Sequence, residues 1–237
     1  MNNQSIHVRN DAIVQAPAEQ LLDPLNDVEQ KHAPKTLYYR GDESLLRRSP
    51  RVAIVGSRSA SLEGLKRAAK LARALVSYGT TIVSGLAEGI DTAAHSAAIE
   101  AGGRTIAVLG TSVEKPYPAS NRALFDLIAT QHLVVSQFPD GAPVQPRNFP
   151  MRNRTMALIS HATVIVEAAE KSGTLHQAWE ALRLGRPLFI LESIARNAEL
   201  LWPTEVQRYG AQVLSDATFD DLVEQLPAGQ FEQAVAF

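Results

Sequence analysis

From residue 51 onward the chain alternates short apolar runs with longer stretches of mixed character. "RVAIVGS" (51–57) is a continuous apolar run rich in β-branched residues, the pattern of a strand buried on both faces. Behind it Leu65, Ala68, Ala69, Ala72, Leu75 and Val76 recur at i, i+3, i+4 and i+7. That spacing predicts an amphipathic helix, stopped by Gly79. The alternation then repeats: strand "TTIVSG", helix "IDTAAHSAAIEAG" ending at Gly102–Gly103, strand "RTIAVLG", a helix around 120–130, and strand "LVVSQF". A helix around 151–160, the strand "ATVIVEA", a helix from Thr174 to Leu184 and the strand "PLFIL" follow. Strands alternating with helices of about three turns predict an α/β fold with right-handed crossovers. Six such strands make an open, doubly wound, mostly parallel sheet with helices on both faces. "GAQVLSDATFDDLVEQL" adds a short strand and a last helix, with Asp216 or Thr218 as its N-cap.

Residues 1–35 break this rhythm. They are polar and aperiodic and carry Pro17, Pro24 and Pro34, so they are expected to form an N-terminal extension, part helix and part loop. "TLYYRGDESLL" (36–46) reads as an extended lead-in to one domain over 36–237.

Composition narrows the function classes. The chain has 237 residues, 45 % of them apolar, and a formal charge of −2, so general coating of nucleic acid or an anionic membrane is not expected. The absence of cysteine excludes disulfide scaffolds, thiolate zinc sites and cysteine nucleophiles. No signal peptide and no apolar run of membrane-spanning length is visible, so a soluble cytoplasmic protein is expected.

In an open α/β sheet, ligands bind outside the carboxyl ends of the strands. That selects the loops "GSRSAS" (56–61), "SGLAEGID" (84–91), "GTSVEKPYP" (110–118), "QFPDG" (137–141) and "EAAEKSGTL" (167–175). Glycines among serines and threonines can serve tight turns or present backbone N–H groups to a phosphate. The dinucleotide fingerprint G-x-G-x-x-G, the phosphate loop G-x-x-x-x-G-K-[ST] and the nucleophile elbow G-x-S-x-G are all absent. No cofactor is therefore expected. Asp91 and His95 share one helical face but lack a third ligand, so a dipole-favoured acid beside a histidine is preferred to a metal site.

One stretch stands apart in charge. "RNFPMRNRT" (147–155) holds Arg147, Arg152 and Arg154, and no acidic residue occurs between Gly141 and Val166. Arginine grips phosphate through a rigid bidentate fork, and three of them suit a chain of phosphates. Phe149 among them is a candidate to stack on a base, as aromatic platforms do in single-strand grooves. The plainer reading is a solvated helix start, but cations there oppose the helix dipole.

Together these motifs resemble the DNA-processing protein A (DprA, also called Smf) family. The match runs through "APKTLYYRGDESLL", "VAIVGSRSAS", "GTTIVSGLAEGIDTAAHSAAIEAGGRTIAVLG", "YPASNRALFDLIA", "NFPMRNRTMALIS" and "VIVEAAEKSGTLHQAWEALRLGRPLF", roughly residues 33–226. The resemblance implies an extended Rossmann-like domain that binds single-stranded DNA, forms a homodimer and loads the RecA recombinase, as in natural transformation. It implies DNA-phosphate contacts at Gly56, Ser57, Arg58, Gly85, Gly89, Asn121, Arg122, Asn148, Arg152, Asn153, Arg154, Lys171, Ser172, Gly173 and Thr174. It implies no catalytic residue. The chain departs from the family after "PLFIL", where "ESIARNAELLWPTEVQRYGAQVL" replaces an Asn-rich segment. The winged-helix and helical modules that many members carry are not expected in this chain.

Two other readings share the fold. Nucleotide phosphoribohydrolases of the LOG type carry a glutamate three residues after a Gly-Thr, where this chain has Gln177. An amide cannot supply that carboxylate, which lowers the enzyme reading. A nucleotide-sensing domain that binds a small phosphorylated ligand is the third.

Overall fold

The computed structural model describes residues 12–228, so the first eleven residues of the extension lie outside the described residues. The chain enters through β1 (Val14–Pro17), α1 (Ala18–Leu21), α2 (Asp27–His32) and β2 (Thr36–Gly41). The regular alternation follows as β3 (Arg51–Gly56), α3 (Leu62–Ser77), β4 (Thr81–Ser84), α4 (Ile90–Glu100), β5 (Thr105–Leu109), α5 (Arg122–Gln131) and β6 (Leu133–Ser136). It continues with α6 (Asn148–Ile159), β7 (Ala162–Glu167), α7 (Leu175–Arg183) and β8 (Leu188–Leu191). Two short helices, α8 (Glu192–Ala195) and α9 (Trp202–Arg208), precede β9 (Gln212–Leu214) and α10 (Phe219–Glu224).

The nine strands of the described residues form one sheet in the order β1-β2-β6-β5-β4-β3-β7-β8-β9. The run from β6 to β9 is parallel, whereas β1–β2 and β2–β6 are antiparallel. The doubly wound architecture is as expected, but the six-strand count is not. The short strand predicted in the tail is β9, and β1 and β2 extend the far edge. The order reverses at β3, which lies between β4 and β7. Its left and right neighbours are reached by opposite crossovers, and the crevice outside its carboxyl end is the natural ligand position.

The core follows from the two-residue period of the strands. Val52 and Ile54 of β3 face α3 and α4, where Ala68, Leu75 and Ala94 are fully buried. Ala53 and Val55 face the other way, into a cluster shared with Met156 of α6, Ala178 of α7 and Val206 of α9. Each fully buried Ile or Val stabilises the fold by about 1.5–3 kcal/mol.

The amino-terminal residues are bound to this core. Ala18, Leu21 and Leu22 are buried with Leu37. Asn26 caps α2 by accepting from the backbone N–H of Val28 and Glu29, and Glu29 accepts in return from the N–H of Asn26. Two arginines, Arg51 buried and Arg186 half-buried, then clasp the segment to the amino-terminal rim of the sheet. Arg51, 2 % exposed, pairs with Asp23 and donates to the carbonyl of Ile159 at 2.6 Å. Arg186 pairs with the buried Glu29 at 2.6 Å. A hydrogen bond from His161, aided by the charge of Arg51, holds the Asp23 carboxyl down at about 2 against the effect of burial.

Local boundaries also shift. The helix expected around 151–160 begins at Asn148, so Asn148, Phe149 and Pro150 are helical. Thr218 is the N-cap position of α10, one of the two expected, but its side chain makes no capping bond to that helix; it joins Ser215 in a capping box around the preceding turn, and Asp216 turns outward to Lys70. No helix among the described residues is long and apolar enough to cross a membrane.

Candidate functional site

A cavity of about 840 Å³ opens at the carboxyl ends of β3 and β7, where the strand order reverses. The loop after β3 forms one wall and is held on several sides. Ser57 donates its N–H to the carbonyl of Glu167 at 2.7 Å. The Glu167 carboxylate accepts from the N–H of Ser61 at 2.9 Å and from its hydroxyl. Ser61 in turn caps α3, accepting from Gly64 at 2.9 Å. From the facing wall, Thr174 donates its hydroxyl to the carbonyl of Gly56 at 3.0 Å. Gly56, Ser57, Arg58, Lys171, Ser172, Gly173 and Thr174 therefore all line one space.

Over this space lies a cation–aromatic group. The Arg58 guanidinium sits 5.5 Å from the centroid of Phe149. Tyr117, 46 % exposed, approaches the same ring at 5.4 Å and 49°. Among the described residues, Arg58, Arg152 and Lys171 form no ion pair. Tyr117 is absent from the sequence-based set. The usable signal was an aromatic flanked by two prolines, Pro116 and Pro118, inside a strand-end loop.

The floor is polar and buried. Arg152 is 6 % exposed, donates Nη1 to the carbonyl of Val108 at 3.0 Å, and leaves Nε without a partner. Its guanidinium lies against Gly85, where a Cβ would fall 1.5 Å from Nη1. The close approach of Arg152 therefore requires glycine at 85. Burial pushes the Asp91 carboxyl up and Arg152 down, and each charge opposes the shift of the other. Asp91 Oδ2 accepts from Gly85 at 3.0 Å. Leu86 beside it has φ +58, a costly conformation for a side chain. It is held by Asn121, whose Nδ2 donates to the Leu86 carbonyl at 2.9 Å. Gly89, at φ +74, packs so closely on the loop after β3 that a Cβ would meet the Ser57 carbonyl at 2.3 Å.

The structure thus divides the expected contacts. Phe149, Arg152 and Asn153 line the cavity with the two loops. Gly85, Gly89 and Asn121 do not line it; they support the residues that do. Asn148 is also internal, its Nδ2 donating to the Pro143 carbonyl at 3.0 Å. Arg122 is brought to an exposed i,i+4 pair with Asp126, away from the cavity. Arg154 points between α6 and α7 and makes a two-pronged pair with Glu180 at 2.9 and 3.2 Å. Asp91 and His95 serve different partners: His95 Nδ1 lies 2.6 Å from the Thr105 hydroxyl. No group of three or more His, Cys, Asp or Glu side chains placed for a metal occurs among the described residues. Gln177 reaches the cavity with a buried Oε1 that has no partner.

The model of the family described as DNA recombination-mediator protein A matches residues 19–227. The chain is 43 % identical over 159 residues to the DNA processing protein DprA of Streptococcus pneumoniae, covering 67 % of this chain and 56 % of that protein. It is 44 % identical over 184 residues to the protein Smf of Synechocystis, covering 76 % and 46 %. The chain thus spans about half the length of these relatives. Its structure resembles that of DNA processing protein A from Helicobacter pylori, at 28 % identity and a TM-score of 0.77 over 91 % of this chain and 97 % of that one. That neighbour was solved to explain its unique single-stranded DNA binding mode.

Proposed function

The chain belongs to the DNA recombination-mediator protein A family, and from that premise we propose that its strand-end cavity binds single-stranded DNA. The carrying observation is the open rim where Arg58 lies over Phe149 beside Tyr117, with Lys171 across the cavity and, among the described residues, no carboxylate paired to either cation. Arg58 and Lys171 take phosphates of a strand. Phe149 and Tyr117 offer rings to bases, a contact that tolerates any sequence. Arg152 supplies a buried positive potential beneath them.

The role in this reading is DNA processing in recombination or natural transformation. It includes protection of the strand and its transfer to the RecA recombinase by a cytoplasmic homodimer. The role is binding and not catalysis, supported by the amide of Gln177 where glycosidic chemistry needs a carboxylate. The experiment is a titration of single-stranded and duplex DNA of equal length across a range of salt. Single strands should bind more tightly, with log affinity falling by about 0.7 per phosphate contact for each tenfold rise in salt. Absent or salt-independent binding would sink this proposal. Release of free base from nucleoside monophosphates would restore the enzyme reading.

A further inference from the structure

A second groove, of about 660 Å³, lies one step outward, between α3 and the carboxyl ends of β8 and β9. One wall is a single stripe of α3, Arg67, Lys70, Leu71 and Ala74, at i, i+3, i+4 and i+7. Leu191 and Leu214 end the two outer strands on the opposite wall, and Phe219 of α10 closes the end. Phe219 is half-buried and backed by Tyr78 at 5.5 Å.

The groove repeats the chemistry of the cavity, cations beside an aromatic ring, on a chain whose net charge is −2. Arg196 is its third cation. Two carboxylates share it: Asp216 pairs with Lys70 at 2.7 Å and Glu192 with Arg196 at 2.7 Å. The four side chains are between 42 % and 89 % exposed, so these pairs are weak and a phosphate can displace them. Arg67 has no ion pair among the described residues.

The two sites share a helix. Ser61, two residues past the cavity-lining Ser59, caps α3, and Arg67 stands six residues along it. At 1.5 Å per residue that is about 9 Å. Even at the duplex spacing of about 3.4 Å, two or three phosphates cover that distance.

We propose that the groove between α3 and the ends of β8 and β9 is an accessory strand site, which takes the phosphates and one base of a DNA strand continuing from the first cavity. This rests on the single-strand reading of that cavity. The occupant is the same strand, because the groove's open cation lies on the helix that carries the first phosphate loop.

The test compares oligothymidylates of about 6 and about 15 nucleotides, lengths within the usual range of single-strand sites. Arg67→Glu should leave the thermal midpoint and the short oligonucleotide's affinity unchanged. It should weaken the long one by about threefold to tenfold and reduce the magnitude of its salt slope by about 1, with Arg67→Lys restoring both. If the wild type fails to bind even the short oligonucleotide, the reading of the first cavity falls, and this inference with it. If the short one binds and Arg67→Glu keeps the full gain with length, the accessory site alone is overturned. A nucleoside monophosphate that brings the long oligonucleotide down to the short one's affinity, leaving short binding intact, marks a free-nucleotide site and also overturns it.

Discussion

Strand β3 carries an arginine near each end, and the two stand in opposite surroundings. Arg51, at its start, is buried and committed to Asp23, the Ile159 carbonyl and the ring of His161. Arg58, just past its end, is exposed, lies over Phe149 and has no paired carboxylate among the described residues. Arg186 and Lys171 extend the contrast at the starts and ends of neighbouring strands: Arg186 is tied to Glu29, whereas Lys171 has no ion pair among the described residues. Since the central strands are parallel, all their starts share one rim and all their ends the other. A cation at the starts builds the fold, and a cation at the ends is available to a ligand. Residue type does not distinguish them; the carboxylates that reach them do.

Acid should produce the largest effect and tests whether the starting rim is the stronger part. Burial, reinforced by nearby positive charge, lowers His95 from 6.5 to about 3 and His132 from 6.5 to about 4. The unfolded chain therefore takes up these protons first as pH falls. Stability is full above 6.5 and drains by about 1.4 kcal/mol per pH unit for each histidine across its window. Asp23 behaves as a depressed carboxylate: its contribution is full above its ordinary 3.8 and is lost only toward about 2. The fold should fail at the histidines before the ion-pair rim is lost. Thermal melts from pH 7 to 4 should show this, with a shallower slope in His95→Gln; an equal slope in that variant refutes it.

Next in size is Asp23→Ala, which leaves Arg51 buried with its carboxylate removed. A loss of about 3 kcal/mol is expected in denaturant melts. The folded fraction should bind DNA as the wild type does. Weakened DNA binding per folded molecule would show that the two rims are not separate.

Arg58→Ala should give the reciprocal result, about a tenfold loss of single-strand affinity, or about 1.4 kcal/mol, with no shift in melting. Arg122→Ala is its matched control, since its exposed pair with Asp126 carries at most about 0.5 kcal/mol and lies away from the cavity. Equal losses in both variants would erase the distinction between a placed cation and any surface cation.

The central alternation was legible because each buried strand is a self-contained segment of four to six residues built around an apolar, β-branched centre. β1 was not, and β2 was legible only as an extended lead-in. Along β1 half-buried and exposed residues alternate over four positions, and along β2 half-buried and buried ones over six, too short for the period to declare itself. The lining of the cavity was legible where residues directly follow a strand end, as with Arg58 and the loop from Lys171 to Thr174. It was misleading where a side chain's partner lies far along the chain. Arg154 belongs to Glu180, 26 residues on, and Asn121 to the carbonyl of Leu86, 35 residues back. Nothing within "RNFPMRNRT" states that one arginine goes to the cavity floor and another to a helix interface; facing elements decide it.

Gly85 and Arg152 illustrate a consequence for inheritance. The missing methyl at 85 is the space the guanidinium occupies. Neither position can drift alone: a side chain at 85 evicts the arginine, and a small residue at 152 opens a void beside a bare backbone. A library randomised at one of these sites will return mostly the parental residue, and only paired changes will reach a new solution. The floor of the cavity is a single heritable unit written in two places 67 residues apart.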